Sequence, residues 1–411
     1  MLKMRMKLIP AIATTVFFAS QFVSQAAQAK QVITFAAASF AEPGRGEKMK
    51  AWVEEFNKSQ NEVEVQPVTI PFSSFVSTVF TQMGGGAGPD LVRFDLPEFF
   101  AAVEAKRVAP MDDYIHDGDY HFGSADKDLK IKGTRYGLVF EVSNYALLLN
   151  KGLVKGAPPQ NFQEFITAAK AATGNGHFGF AYRATMAERG GMWYDLCNFV
   201  YGFGGRWSDD KGQPTLNSPA VVQGIKAYKQ IYDAGVIPKG ADAATYRRMF
   251  AQGKLAMEID NGGVAANLAT EGKGIDFGAA PSPFPYKQQT MILASITLNA
   301  NSKHKKAAGA FLQWMLQPES QAELQQIHGA SSVAVPVARS PQELAKWPWI
   351  TTYDNQTANS IPPLPKGLET KSPEIQQIVI GQVIKVLQNN LDPQKAMDAA
   401  QAKALRLVKK K

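Results

Sequence analysis

Residues 62–94 read EVEVQPVTIPFSSFVSTVFTQMGGGAGPDLVRF, and the order of elements in them decides the fold class. Val63, Val65, Val68 and Ile70 suggest a strand interrupted at Pro67. Phe75, Val76, Val79, Phe80 and Met83 then recur at helical spacing, Gly84–Gly86 stop the helix, and DLVRF follows Pro89 as another strand. Upstream, QVITFAAAS at 31–39 is a strand, and Met49, Trp52, Val53 and Phe56 mark one apolar stripe of the helix that follows it. This β-α-β-α-β succession calls for a largely parallel sheet covered by helices, an α/β fold.

Downstream the same alternation continues. Asn161 precedes Phe162, Phe165, Ile166 and Ala169, with Glu164 three residues on, a capping box. Ser218-Pro219 opens a helix with Val221, Ile225, Tyr228 and Tyr232 on one face. Further stripes run from Ala308 to Leu316 and from Ile375 to Leu387, and Asp392-Pro393 caps a last helix. At 411 residues and 45% hydrophobic, the chain can fill more than one compact unit, and two lobes are the simplest division.

Lys3, Arg5 and Lys7 precede the short apolar run LIPAIATTVFFA, and Ala27-Gln28-Ala29 fits the small-x-small rule, so residues 1–29 are expected to be a signal peptide cleaved after Ala29. The run is shorter than the ~20 residues of a membrane span. With no cysteine near the cleavage site, no lipid anchor is expected. Cleavage removes three basic residues and no acidic one, lowering the formal charge from +8 to +5. The basic residues are thinly spread and not interleaved with aromatics, so no nucleic-acid partner is expected. Cys197 is the only cysteine; it excludes an internal disulfide and, among the apolar neighbours of WYDLCNFVYGF, reads as a small buried hydrophobe.

Four segments, in order, resemble the maltose-binding-protein-like family of extracellular solute-binding proteins, the receptors of ABC-type sugar importers. They are GGGAGPDLVRFDLPEFFAAVEAKRVAPMDDYI (84–115), YGLVFEVSNYALLLNKGLVKGAPPQNFQEFITAAK (136–170), FAQGKLAMEIDNGG (250–263) and SKHKKAAGAFLQWMLQPESQAELQQIHG (302–329). The resemblance implies a two-lobed periplasmic-binding-protein fold with discontinuous lobes joined by a hinge and a ligand cleft between them. Crossings are expected near Phe140–Val142, Met291–Leu293 and Gln317–Pro318, giving one lobe from 30–140 plus 292–317 and another from 141–291 plus 318–411. It further implies a periplasmic, non-catalytic monomer without cofactor or metal, which binds a carbohydrate or polyol and delivers it to the permease subunits of an ABC importer.

Ligands of open α/β sheets gather beyond the carboxyl ends of strands. Phe40 follows the first strand, where it either fills the core or meets ligand. Asp95 follows the third, where it either caps the next helix or accepts hydroxyl hydrogen bonds. Glu141 sits at the first crossing and needs a partner if buried. In YRATMAERGGMWYDLCNFVYGFGGRW (182–207), Arg183 is a candidate polar contact, and the resemblance implies an aromatic stacked on a sugar ring, Trp193 or Tyr194. Asn261, Gly262 and Gly263 are read as a strand exit whose bare backbone approaches the ligand. Ser295 follows the second crossing, and Arg339 lies in a loop that resembles the family's return to the cleft.

Two other readings stay open. Arg183, Arg189 and Arg339 could serve a phosphorylated or charged solute such as a glycerophosphodiester. A secreted carbohydrate-active enzyme could use Glu141 and Asp95, although no motif fixes the separation of such a pair. GGGAG lacks the Gly-Lys-Ser/Thr ending of a phosphate loop, and His116 and His121 lack a metal-binding register.

Overall fold

The computed structural model describes residues 30–42, 45–271 and 274–409; the expected signal peptide lies outside them. Strand β1 (Gln31–Ala36), helix α1 (Arg45–Ser59), β2 (Val63–Val68), α2 (Phe72–Gly84) and β3 (Leu91–Asp95) follow the expected order. Strand β1 lies between β2 and β3 and runs parallel to both, with Phe35 opposite Pro67 on one side and Leu91 on the other. Pro67 is tolerated because β2 is the edge strand and has no further neighbour to which a missing N–H would matter. Helix α1 buries Met49, Trp52, Val53 and Phe56, the stripe legible in the sequence.

Helix α3 (Leu96–Glu104) leaves directly from β3, and a hairpin of β4 (Lys130–Ile131) and β5 (Thr134–Arg135) leads into β6 (Leu138–Asn150), whose residues are all buried. Helix α4 (Phe162–Ala171) opens on the expected cap: the Asn161 carboxamide oxygen accepts the Glu164 N–H at 3.0 Å. There follow α5 (Arg189–Gly202), α6 (Pro219–Asp233), α7 (Ala243–Ala251), β7 (Met257–Asn261), α8 (Gly262–Glu271), β8 (Phe277–Ala280) and β9 (Gln289–Leu298). The chain ends in α9 (Lys305–Met315), α10 (Pro318–Ile327), α11 (Pro341–Lys346), α12 (Ile350–Gln356), β10 (Ser360–Ile361), α13 (Ser372–Gln388) and α14 (Pro393–Lys409).

Strand β9 inserts antiparallel between β3 and β6, with Ala294 opposite Asp95 on one edge and Glu141 on the other. Beyond Asn144, β6 parts from β9 and pairs antiparallel with β7 and β8. The sheet is therefore continuous from one lobe to the other, and among the described strands the parallel arrangement read from the sequence is kept by β1–β3 and by the short pair of β10 with β9.

Buried apolar residues divide on either side of this crossing. The first core joins β1–β3, α1–α3 and α9, and at its centre Phe35, Trp52, Phe56, Phe140 and Phe311 meet at centroid distances of 5.1–6.2 Å. A second and a third cluster hold α4–α6 with α13–α14, and α7–α8 with α12. Helix α10 corrects the expected division at Gln317–Pro318. Leu324 belongs to the first core and the Trp52 indole N–H donates to Ser320 Oγ at 3.0 Å, so the last passage into the second lobe comes later, between Ala334 and Trp349.

Leu148 on β6 is fully buried in the third cluster, whereas Val76 on α2 is 41% exposed. Leu148→Ala should cost about 2–5 kcal/mol in urea unfolding, and Val76→Ala less than about 0.5 kcal/mol.

Candidate ligand-binding site

The carboxyl end of β3 and the middle of β6 meet at the boundary of the lobes. Alternation along β3 sends Val92 and Phe94 into the core and puts Arg93 and Asp95 on the opposite face. There Arg93 Nη2 lies 2.8 Å from Asp95 Oδ1. Across Ala294, Glu141 accepts from Arg45 Nη2 at 2.6 Å and from the Ser331 hydroxyl at 3.1 Å. Arg45 also donates to Nδ1 of His328, whose ring stands edge-on to Phe140 at 5.1 Å.

Burial alone would raise the Glu141 carboxyl, but Arg45 first, and then His328 and Arg93, outweigh it and hold the group at about 2. His328 moves the other way: burial, reinforced by Arg45, pushes it down to about 3, so it is a neutral acceptor at ordinary pH. On the first turn of α3, burial and the neighbouring Asp95 push Glu98 up to about 7.

The second lobe faces this floor with Tyr194 of α5, stacked at 6.2 Å on Tyr145 of β6. Burial first, and then the charges of Asp95 and Glu98 of the opposite lobe, raise the Tyr194 phenol. Beside Tyr145, Asp260 is held by a two-pronged bond from Arg247, at 2.7 and 3.0 Å. Several buried polar atoms of the floor have no hydrogen-bond partner among the described residues: Arg45 Nε, Glu98 Oε2 and His328 Nε2. Such atoms are costly unless something polar meets them.

Along α3 and α5 lies a cavity of about 580 Å³, lined by Leu96 and Phe100 from one side and Tyr201 and Trp207 from the other. Tyr194 and Tyr201 are two turns apart, about 10 Å, so floor and cavity share the same pair of walls. A volume of this order suits a small solute. Among the described residues no group of three or more His, Cys, Asp or Glu side chains is placed to hold a metal ion.

The structure brings Asp95, Glu141 and Tyr194 together at this site, with Asn261 on the adjoining wall opposite Tyr145 in register. Asp95 stands at the N-cap position of α3 but makes no capping hydrogen bond, which leaves its carboxylate to Arg93 and the cleft. The other expected contacts are corrected. Phe40 is in the first core, edge-on to Phe35 at 5.2 Å. Ser295 is fully buried within the sheet, donating to the Phe94 carbonyl at 3.2 Å. Trp193 is buried against Trp207, ring to ring at 4.6 Å, and donates to the Pro363 carbonyl at 2.6 Å, so its ring has no free face for a ligand.

Arg183 is buried and committed to Asp195, 2.8 Å from Oδ1, while its own N–H donates to Oδ2 at 2.9 Å. Arg339 is likewise a clamp, donating to the Gly329 carbonyl at 2.8 Å and pairing with Glu343 and Asp354. At the strand exit, Asn261 Oδ1 accepts the Gly263 N–H at 3.0 Å and caps α8. Gly262 makes room for protein, since a β-carbon there would lie 2.6 Å from the Ala330 carbonyl oxygen. Cys197 is inert as expected, its thiol pushed up to about 12 by burial.

Sequence reading missed Arg45, Arg93, Glu98, Tyr145 and His328. Arg93 was findable, because strand alternation puts it on the face of Asp95. His328 was not, because only the fold brings the end of α10 to β6.

Residues 41–322 match the family described as bacterial extracellular solute-binding protein. The maltotriose-binding protein of Pyrococcus abyssi is 27% identical over 245 residues, 56% of this chain and 51% of that protein, so the chain aligns with about half the length of this relative. The GacH receptor of Streptomyces glaucescens, solved unliganded and with acarbose and an acarbose homolog, superposes with a TM-score of 0.79 at 19% identity, over 93% of this chain and 100% of that one. A solute-binding protein of Agrobacterium radiobacter in complex with ribitol gives 0.74 at 21% identity, over 92% and 98%.

His328 and Glu141 each weaken the fold in acid. The unfolded chain takes up a proton at His328 below about 6.5 while the native ring stays neutral down to about 3; Glu141 adds its share as pH falls from about 4.5 to about 2. Glu98, raised to about 7 in the native state, works in the opposite sense between about pH 7 and 4.5. The His328 contribution alone should fall from pH 7 to pH 5 by up to roughly 1 kcal/mol per pH unit. In thermal unfolding, the Tm difference between wild type and His328→Gln should therefore shift in favour of the variant as pH falls over that interval.

Proposed function

Because the chain belongs to the bacterial extracellular solute-binding proteins, we propose that it captures a carbohydrate or polyol between its lobes and hands it to the permease of an ABC importer. The observation that carries this reading is the floor of the cleft, where Arg45, Glu98 and His328 present polar atoms without a hydrogen-bond partner among the described residues, beside the Asp95–Arg93 pair and the stacked Tyr145 and Tyr194. A polyhydroxylated solute offers matching chemistry: hydroxyls donate to Asp95 and accept from Arg45 and Arg93, and the C–H face of the ring or chain lies on Tyr194.

Capture works by closure. The first lobe supplies the charged hydrogen-bonding groups and the second supplies the stacked tyrosines, so neither half-site binds well until the lobes approach across β6 and β9. A micromolar complex needs roughly 8 kcal/mol, which a few hydrogen bonds and one stacked ring reach only when water is excluded. The protein acts without turnover, as a periplasmic monomer. Glu141, ion-paired with Arg45, is a fixed charge in the floor and not a proton donor.

A thermal-shift screen of the mature protein against sugars and polyols tests the reading directly. At least one should raise Tm in a concentration-dependent way. Stabilisation by amino acids or polyamines alone would overturn it, as would hydrolysis of a labelled oligosaccharide by the pure protein. With the ligand in hand, Tyr194→Ala and Asp95→Asn should each weaken binding about tenfold or more with little change in apo-protein Tm. Trp193→Ala should instead lower the apo-protein Tm, the sign of a core residue.

A further inference from the structure

The far end of the cleft has the opposite electrostatic character from its floor. Lys127 and Lys132 from the first lobe and Arg206 from the second line the same 580 Å³ cavity, together with Lys130 and Lys366. The last two are already matched, Lys130 by Asp117 and Asp126 at 2.6 and 3.0 Å and Lys366 by Asp210 at 2.6 Å. Lys127, Lys132 and Arg206 have no ion-pair partner among the described residues. Two further carboxylates line the space, Glu369, which accepts the Gly367 N–H at 2.7 Å, and Asp128, raised to about 6 by burial; among the described residues neither forms an ion pair with Lys127, Lys132 or Arg206.

Arg206 is the most telling of the three. Its guanidinium lies over the Tyr201 ring at 5.4 Å, and its hydrogen bonds reach neutral oxygens only, the Gly205 carbonyl and Gln288 Oε1, both at 2.6 Å. Burial lowers its pKa, offset only by Tyr201. A guanidinium held part-way out of water with no carboxylate is stabilised by an anion that brings two acceptor oxygens. Closure sets this cation and the two lysines of the other lobe around one space, where like charges oppose one another unless an anion lies between them.

We infer that the solute is an anionic saccharide, whose hydroxyls sit on the Asp95–Tyr194 floor and whose carboxylate or phosphate lies between Lys127 and Lys132 of one lobe and Arg206 of the other. The inference rests on the carbohydrate reading above and narrows it. The anion links the lobes: it takes cations from both, so it stabilises the closed form more than the open one.

Titration calorimetry with matched pairs tests it: galactose against galacturonate, galactobiose against digalacturonate, and glucose against both glucuronate and glucose 6-phosphate. In at least one pair the acidic member should bind about tenfold or more tightly than its neutral partner, with the gap narrowing as salt rises from about 0.05 to about 0.5 M. The uronate and phosphate arms show which anion is taken. In Arg206→Gln and Lys132→Gln the acidic-to-neutral ratio should fall toward one, whereas Lys239→Gln, which removes a lysine seated on the Tyr232 ring of α6 in the second lobe, should retain it. Neutral members that bind as well as acidic ones in every pair would overturn the inference while sparing the carbohydrate reading. So would an acid preference that survives both substitutions. Absence of binding by every saccharide would remove both.

Discussion

Strand β9 is hydrogen-bonded along both edges at the boundary of the lobes, and the geometry of the floor follows from that register. With Ala294 between them, Asp95 and Glu141 are two strands apart on one sheet, about 10 Å at the usual strand spacing. A slip of one residue on either edge would turn one carboxylate to the other face of the sheet. The pairing is held by its apolar neighbours: Phe94, Leu138, Phe140 and Ile296 are all buried in the first core, and a slip on either edge would displace those on the strand that moves.

The buried charges deserve no credit for stability as such, since desolvation offsets much of what an ion pair returns. Their effect is positional. Arg45 ties the start of α1 to β6 through Glu141 and to the end of α10 through His328, so that three segments remote in sequence share one set of hydrogen bonds. On the other lobe the same part is played by aromatic packing. Trp193 and Tyr201 bond the carbonyls of Pro363 and Pro362, which fixes the pitch and rotation of α5 and with them the direction of Tyr194. The indole is thus a positioning residue for the phenol beside it.

Much of the first lobe was legible because its signals are local: the stripe on α1, the triple glycine after α2 and the alternation in β3 each settle an element without reference to anything distant. The capping box at Asn161 was equally plain. The antiparallel insertion of β9 was not, since a buried central strand carries the same continuous apolar run in either direction. The site was less legible still. Trp193 and Tyr194 are adjacent on one helix, and the sequence does not say which of them points inward; helix α5 is apolar nearly all round, so no polar face announces its orientation. Arg183 reads as a polar contact in the 182–207 segment and Arg339 as one from the resemblance of its loop to the family's; their carboxylate partners, Asp195 and Asp354, are recognisable only once the chain is folded.

Residues 328–332 give the crossing a third thread. Val142 and Ser332 exchange backbone hydrogen bonds at 2.8 Å in both directions, the Ser331 hydroxyl reaches Glu141, and the Ala330 carbonyl lies against Gly262 of the second lobe. Arg339 grips the Gly329 and Ser331 carbonyls from beyond. The pivot is therefore a band three chains wide, and a band twists about one axis far more readily than it splays in others. In the closure proposed above, such a pivot leaves the separated lobes few rotational degrees of freedom, so little orientational entropy is lost when they come together. The width of the pivot would thereby add to affinity without touching the ligand.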